Sequence, residues 1–518
     1  MTKSKIYIAA LAMLFCLGAC SNWEELNMDP NNPPAEKVSP ALKVGGVFKE
    51  SCMNAELHQR VHNLYVDMFA QYYLGYFGTY DYVSNDPWTT LFWENHYKWF
   101  NSLNVLVMDY ESNEDFTNIV SIIRIWKVWI SHRGVDLLGD IPYFEVADGV
   151  YDAEELIYKD FLKELEESVA NFDASKESMN DPIYHGDLGK WTKFANSLRL
   201  RLAMRLTNVE PELAKQHAEA AVAGGVLESF DEMPTMFSNT TAWGEGYSYN
   251  YYFWWGAGNG VVMSQSFYDL TVNIGGVPFK TTDVGDRLAN GEYPEFVDPR
   301  ATVIFGSSDQ NAENSEIAGY QGRWSGIAAG LASPDRAEEA NRVQNNSRIN
   351  VTLRGKFNGD NAREFTILPI AEIWFLRAEG ASYGWNMAVP TQDAYENGVR
   401  ASFDYWGLKS ADTYLASEAV NNQGISAKWG DGNGTELEKI ITQKYIGGYP
   451  DNGWEAWADL RRLELPELEF GLQLNTNVPE GKIIQRVKYP LNQAQVNGDN
   501  YNQVKDKDTE GHKHWWSK

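Results

Sequence analysis

A mostly helical fold interrupted by one long irregular insert is predicted by three observations. Apolar residues recur at i, i+3, i+4 and i+7 through two blocks of the chain, the spacing of an amphipathic helix. The helical segments follow one another through short turns, which pairs them as neighbours. Between the two blocks, residues 226–365 are dominated by Gly, Asn, Ser and aromatics, and no helical period lasts there. An irregular stretch of that length inside a globular chain is either functional or a second subdomain, and it reads as loops with a few short strands.

In the first block the periodicity predicts helices over residues 91–110, 117–138, 152–172 and 188–207. Pro211 opens a fifth, and Gly224-Gly225 end it. In the third of these segments, Leu156, Phe161, Leu165 and Val169 form the expected apolar stripe, with Lys159, Lys163, Glu164, Glu166 and Glu167 opposite. Helical patterning returns over residues 370–385, 391–405, 435–446 and 454–463. Residues 492–518 are polar and expected to be loosely ordered. No sequence repeat is strong enough to define repeat units by pattern alone.

The N-terminus reads as an export signal. Lys3 and Lys5 precede a twelve-residue uncharged, mostly apolar run over residues 6–17, too short to span a bilayer stably. Leu17-Gly18-Ala19-Cys20 resembles a bacterial lipobox, which implies cleavage before Cys20 and a diacylated cysteine as the new N-terminus. Residues 1–19 are then the signal peptide. Residues 20–40, with acidic Glu24 and Glu25 and a proline-rich run, form a lipidated tether, and residues 41–518 form one domain. No later segment reaches eighteen apolar residues, so the lipid is the expected membrane contact.

Composition narrows the function classes. The formal charge of -27 becomes about -29 once Lys3 and Lys5 leave with the signal, which disfavours nucleic acid and anionic membrane as partners. With Cys16 removed and Cys20 acylated, Cys52 stands alone, so no intramolecular disulfide is expected. Nothing matches a zinc-protease HExxH motif. His58 and His62 share a spacing of four and read as a solvated helix face. Gly322-Arg323-Trp324-Ser325-Gly326 carries its serine one place late for a nucleophile elbow, and Gly256-Ala257-Gly258-Asn259-Gly260 lacks the last glycine of a dinucleotide loop. Calcium is the one cofactor left open, at Asp431-Gly432-Asn433-Gly434-Thr435-Glu436, which departs from the calcium-loop pattern after the third ligand.

Aromatics make up 14% of the chain, more than a core needs, and they cluster. Residues 243–255 hold Trp243, Tyr247, Tyr249, Tyr251, Tyr252, Phe253, Trp254 and Trp255. Tyr80, Tyr82 and Trp88 form a second group among Gly, Asp, Asn and Thr, and Trp324 sits in a glycine-flanked loop. Sugar rings present flat C–H faces that pack on aromatic rings, and their hydroxyls need fixed polar partners such as Asp81, Asn85 or Asn250. The candidate ligand-binding set is therefore Tyr80, Tyr82, Trp88, Trp243, Tyr249, Trp254, Trp255 and Trp324. Phe92, Trp93 and Phe253 are expected to be core beneath the loops.

Several motifs occur together. They are Leu138-Gly139-Asp140-Ile141-Pro142-Tyr143; residues 191–206, with Arg199, Arg201 and Arg205; Asp298-Pro299-Arg300; residues 371–379; and Ile441-Thr442-Gln443-Lys444, followed by residues 455–462. Read from the residues, they are scaffold: Arg199, Arg201 and Arg205 can pair with acids on neighbouring helices, and Asp459-Leu460-Arg461-Arg462 can form a buried ion network. With the lipobox and the Asp29-Pro30-Asn31-Asn32-Pro33 tether, they make the chain resemble the SusD/RagB nutrient-binding outer-membrane lipoproteins, in their second SusD-like branch. The resemblance implies a scaffold of tetratricopeptide-type helix pairs, with the ligand site on the insert and on loops between early helices. It implies capture of an oligosaccharide, without turnover, for a TonB-dependent (SusC-like) outer-membrane transporter. Peptide capture on the same scaffold is the alternative, and a surface glycoside hydrolase is a third.

Overall fold

The computed structural model describes residues 40–75, 84–236, 261–273, 296–306, 325–331, 346–349, 365–468, 470, 477–479 and 481–517, with residues 335, 338 and 341. Its helices are α1 (Pro40–Met53), α2 (Asp86–Tyr110), α3 (Thr117–Leu138), α4 (Glu154–Ala170), α5 (Leu188–Arg205), α6 (Pro211–Ala223), α7 (Gln265–Thr271), α8 (Pro299–Ile304), α9 (Ile370–Ser382), α10 (Thr391–Tyr405), α11 (Ala411–Ala416), α12 (Glu436–Gly448) and α13 (Gly453–Leu463), with short turns in the tail. A nine-residue π-helix, His58–Val66, lies between α1 and α2. Consecutive helices pack side by side as α2 on α3, α4 on α5, α5 on α6 and α9 on α10, and α12 lies across α9 and α10. No helix among the described residues is long and apolar enough to cross a membrane.

The helix ends follow local chemistry. Asn85 caps α2, its side chain accepting the Trp88 N–H, with proline in the first turn. Asp187 caps α5 in the same way. Thr435 and Glu438 form a reciprocal capping box on α12. Asp298 caps α8 and also grips Arg300.

The helices are joined at their centre by charge. Arg201 of α5 donates to both carboxylate oxygens of Glu372 on α9, at 2.7 and 2.6 Å. Arg205, one turn on, reaches Asp136 of α3 at 3.0 Å and Glu455 of α13 at 2.8 Å. Arg462 of α13 grips Glu379 of α9 and also donates to Asp459 at 2.9 Å, while Lys444 of α12 reaches Asp459 at 2.8 Å. All of these groups are buried. The arginines of residues 191–206 and the Asp459–Arg462 segment thus act as the residues predicted. Removing one member leaves opposite charges buried and unpaired. Arg205→Met should therefore lower stability by about 3–5 kcal/mol. Arg400→Met, which breaks a surface cluster with Glu396 and Asp412, should cost no more than about 1 kcal/mol. Denaturant midpoints of the two variants check this, and equal losses would refute a central role for the network.

Three expectations need correction. Leu156 is exposed, at 55%. The buried stripe of α4 runs Ile157, Phe161 and Leu165, because Leu156 lies five residues before Phe161 and falls off the helical repeat. His58 and His62 are buried and stacked, with ring centroids 4.4 Å apart, and both meet the Phe365 ring edge-on. They do not form a solvated face, because the π-helix is covered by neighbours on several sides. Residues 492–517 are ordered onto the body. Trp516 is fully buried, and its ring stacks on His514.

The tail is fixed by an unusual contact. His514 Nδ1 lies 3.0 Å from Glu154 Oε2 at the start of α4, and the Trp515 N–H donates to the same oxygen. Burial, reinforced by the neighbouring Asp140 carboxylate, pushes the Glu154 carboxyl up to about 8. Burial also holds the His514 imidazole well below its ordinary value. The short distance therefore describes a hydrogen bond between neutral groups, not an ion pair. In the unfolded chain Glu154 ionises near 4.5, so its contribution is complete below that pH and is lost as the pH rises towards about 8. The thermal midpoint of the natural chain should fall relative to Glu154→Gln between pH 5 and 8. Calorimetry at both pH values checks this, and a constant difference would mean that Glu154 ionises normally.

Candidate functional site

Three short strands of the insert join one from before α2 in a small sheet, strand order β1-β3-β7-β6, formed by β1 (Tyr73–Gly75), β3 (Val261–Met263), β7 (Arg348–Ile349) and β6 (Phe305–Gly306). Two further pairs, β2 (Thr235–Met236) with β8 (Phe365–Thr366) and β4 (Val272–Asn273) with β5 (Phe296–Val297), tie other parts of the insert down. β1 and β3 are antiparallel, with Gly75 opposite Val261. The chain leaves β1 at Gly75 towards Tyr80 and Tyr82, and enters β3 at Val261 from the segment holding Trp243, Tyr249, Trp254 and Trp255. The stems of the two densest aromatic segments are therefore register partners at one end of one sheet. Trp324 precedes Ser325, whose carbonyl accepts from the Ser347 N–H beside β7. That is the other end of the sheet, where Met263 also pairs with Ser347.

This sheet is bolted to the helical body. Tyr72, just before β1, lies with its ring edge towards Tyr445 of α12 and Tyr449 after it, at 4.9 and 5.5 Å. The Tyr445 hydroxyl donates to the Ala70 carbonyl at 2.7 Å. Gln71 adopts a left-handed backbone (φ 55°) at the turn from helix to strand, and the Ser264 and Ser266 hydroxyls donate to its carbonyl and its side chain. Gly326 explains part of the glycine-flanked pattern around Trp324: a Cβ there would lie 2.4 Å from the Ser264 carbonyl oxygen, so only glycine permits that approach.

Of the candidate ligand residues, Trp88 lies within the described residues. It sits in the first turn of α2, half-buried, its ring edge-on to Tyr65 at 5.1 Å. Tyr80, Tyr82, Trp243, Tyr249, Trp254, Trp255 and Trp324 lie outside the described residues, as do Cys20, Asp81, Asn250 and Phe253. Asn85, a suggested sugar partner, uses its side-chain oxygen to cap α2. Phe92 is core, as expected, and Trp93 packs with Tyr97, Tyr151 and Tyr489. Much of the aromatic surplus is also core: Trp126, Trp129, Trp191, Trp457 and Trp516 are fully buried.

Two cation questions are answered by neighbouring positive charge. Lys439 Nζ lies 3.0 Å from Asp431 Oδ1 and donates to the Ser426 carbonyl and hydroxyl, so the first carboxylate of the calcium-loop-like stretch already meets an ammonium. Burial opposes the charge on Asp431, but hydrogen bonds from Ser426, Asn433 and Lys439 prevail and hold its carboxyl well below the usual range. His132, Asp136 and Glu455 bring a nitrogen and two carboxylates together, a grouping that sequence spacing did not reveal. Arg201 and Arg205 already meet Glu455, and burial keeps His132 neutral. That trio belongs to the scaffold.

A family model described as SusD-like, starch-binding associating with outer membrane, matches residues 46–490. The chain is similar to a SusD homolog from Parabacteroides distasonis, at 30% identity and a TM-score of 0.81, covering 93% of this chain and 98% of that one. It is similar to a chitin-binding SusD homolog from Flavobacterium johnsoniae, at 26% identity and a TM-score of 0.70, covering 92% and 98%. A SusD homolog from Bacteroides vulgatus shares the fold at 24% identity and a TM-score of 0.75, covering 92% and 97%. Among curated proteins there is no match.

Proposed function

This chain belongs to the SusD-like family of starch-binding proteins associating with the outer membrane, and from that membership we propose that it captures an oligosaccharide at the cell surface and passes it to a TonB-dependent barrel. The lipid on Cys20 anchors it, and the proline-rich tether allows the domain to move while remaining attached. The observation that carries the ligand reading is the pairing of Gly75 with Val261, which joins the stems of the two aromatic-dense segments. Aromatic residues amid small polar ones, on segments whose stems pair, suit the flat faces and hydroxyls of sugars. The chitin-binding relative supports a sugar over a peptide. The role is binding without turnover: Asp136, Glu372, Glu379, Glu455 and Asp459 are each held by a cation, which leaves them poor general acids or bases.

The ligand class is tested by glycan arrays beside peptide pools, followed by calorimetry on the best glycan. An open ring-stacking site should bind with Kd between roughly 1 mM and 1 μM. Alanine at Trp88, Trp243, Trp254, Trp255 and Trp324, one at a time with melts checked, should cost about 1 kcal/mol wherever a stacked ring is lost. Wild-type affinity in all five folded variants would place the site elsewhere. Selective peptide binding, or steady release of reducing sugar, would support the alternatives.

The anchor is tested separately. Cys20→Ala should leave the membrane fraction when the transporter is absent, and retention in detergent-free buffer would exclude the lipid as the sole attachment.

A further inference from the structure

A cavity of about 40 Å³ lies where α1, the π-helix, α2, α3 and α13 meet, lined among others by Cys52, His96, Trp129, Arg133 and Trp454. Its polar lining is rich in donors, with the neutral imidazole of His96 offering one acceptor nitrogen beside them. The indole N–H groups of Trp129 and Trp454 and the Nε–H of Arg133 are obligate donors, and none has an acceptor. Both ring nitrogens of His96 are also unpartnered. Trp129, Trp454 and His96 are 1%, 4% and 2% exposed, so bulk water does not serve them. His96 is held in place by Gly134, where a Cβ would lie 2.9 Å from its ring. Burial pushes the Cys52 thiol up, so it adds a neutral S–H to the walls.

The charge is one-sided. No carboxylate among the described residues lies within ion-pair distance of the half-buried Arg133, unlike Arg201, Arg205 and Arg462. Its guanidinium lies 3.9 Å from the centroid of the Trp129 ring, with Trp454 and Phe365 at 5.6 and 6.0 Å. Ring faces attract a cation but offer no lone pair to its edge N–H groups. The carboxylates that act on Arg133 from further away are committed elsewhere. Glu455 binds Arg201 and Arg205, and Asp451 accepts from the Thr366 N–H. Burial lowers the Arg133 guanidinium to about 10, which leaves it charged at neutral pH.

We propose that this cavity binds one small monovalent anion of halide size, held by Arg133 Nε–H and the indole N–H groups of Trp129 and Trp454. The space admits roughly three waters, or one such ion with its residual water, and is too small for a sugar ring or a phosphate ester. Water can accept from these donors; an anion accepts from them and also meets the charge of the half-buried guanidinium. The ion ties together helices from both ends of the chain, and its effect should be seen in stability.

Chloride and bromide are the probes. The melting midpoint of the whole soluble domain is measured in sodium chloride against sodium gluconate at equal ionic strength, gluconate being too large to enter. Chloride should raise the midpoint saturably in the natural chain. The apparent affinity should fall at least tenfold in Arg133→Gln, and also fall in Trp129→Phe, which keeps a ring over the guanidinium and removes the N–H. Crystals soaked in bromide should show an anomalous peak inside the cavity at hydrogen-bond distance from Arg133 Nε. An empty or water-filled cavity in bromide, or an unchanged chloride response in the folded variants, would overturn the proposal. Should Arg133→Gln fail to fold, Trp129→Phe and the bromide peak decide.

Discussion

Ten charges buried at the centre of the helical array constrain the rest of the structure. Arg201, Arg205, Arg461, Arg462 and Lys444 supply the positive groups, and Asp136, Glu372, Glu379, Glu455 and Asp459 the negative ones. Taking each from water costs several kcal/mol, which is recovered only where geometry and hydrogen bonding are close to ideal. Apolar helices can slide past one another at modest cost. Helices whose guanidinium forks meet carboxylates end to end cannot. The five helices α3, α5, α9, α12 and α13 are thereby held in one register, and α13 supplies four of the ten groups within two turns. Among the described residues Arg461 takes no carboxylate; it donates to the carbonyls of Asp136 and Gln485 and lies 3.5 Å from the Trp457 ring centroid, joining α13 to α3 and to the tail.

That register is passed on to the insert. Lys444 is fixed by Asp459, and the next residue, Tyr445, supports Ala70 and Tyr72 at the root of β1. Gly448, one turn later, lets the Tyr72 hydroxyl approach to where a Cβ would lie only 2.7 Å away. At the start of α13, Gly453 gives similar room to Asp67, whose carboxylate accepts from Tyr73 of β1 and from Asn63. The first strand of the sheet thus inherits its position from the charged core, and β3 takes its position from β1. A strand of two or three residues is not stable on its own. Here it is a bracket, held by rings and hydroxyls against helices that cannot move.

The helices were legible because their period is local. α3 and α10 begin and end where the apolar spacing predicts, and the arginines of α5 find acids as their places in the pattern imply. What the sequence hid is what depends on distant partners. The stripe of α4 is an exception, since Ile157, four residues before Phe161, fits the local repeat and is buried while Leu156 does not fit it and is exposed. The polar tail gave no sign that Trp516 and His514 would close over Glu154, because its buried groups are few and their partners lie some 360 residues away. The π-helix has no residue signature, and its histidines read as surface until the helices around them are in place. Three strands of the sheet fall in residues 226–365, where short strands were expected, but β1 lies outside them, and the pairing of residue 75 with residue 261 has no local trace. The candidate ligand rings stand out in sequence as clusters, yet composition alone does not separate such rings from Trp126 or Trp191, which are core.

The same division explains why recognition would be built from rings on loops and not from the polar centre. A buried carboxylate already held by two guanidinium groups has no capacity for a sugar hydroxyl, and freeing it would put the helix register at risk. A ring on a loop carries no such debt. It can be added, lost or turned without leaving a charge unpaired, and its contact with a sugar face needs shape and little else. The polar partners for hydroxyls must then come from short loop side chains whose removal costs the fold little. On the proposed reading, a rigid charged scaffold that leaves recognition to its aromatic-rich segments can change its ligand while keeping its helices.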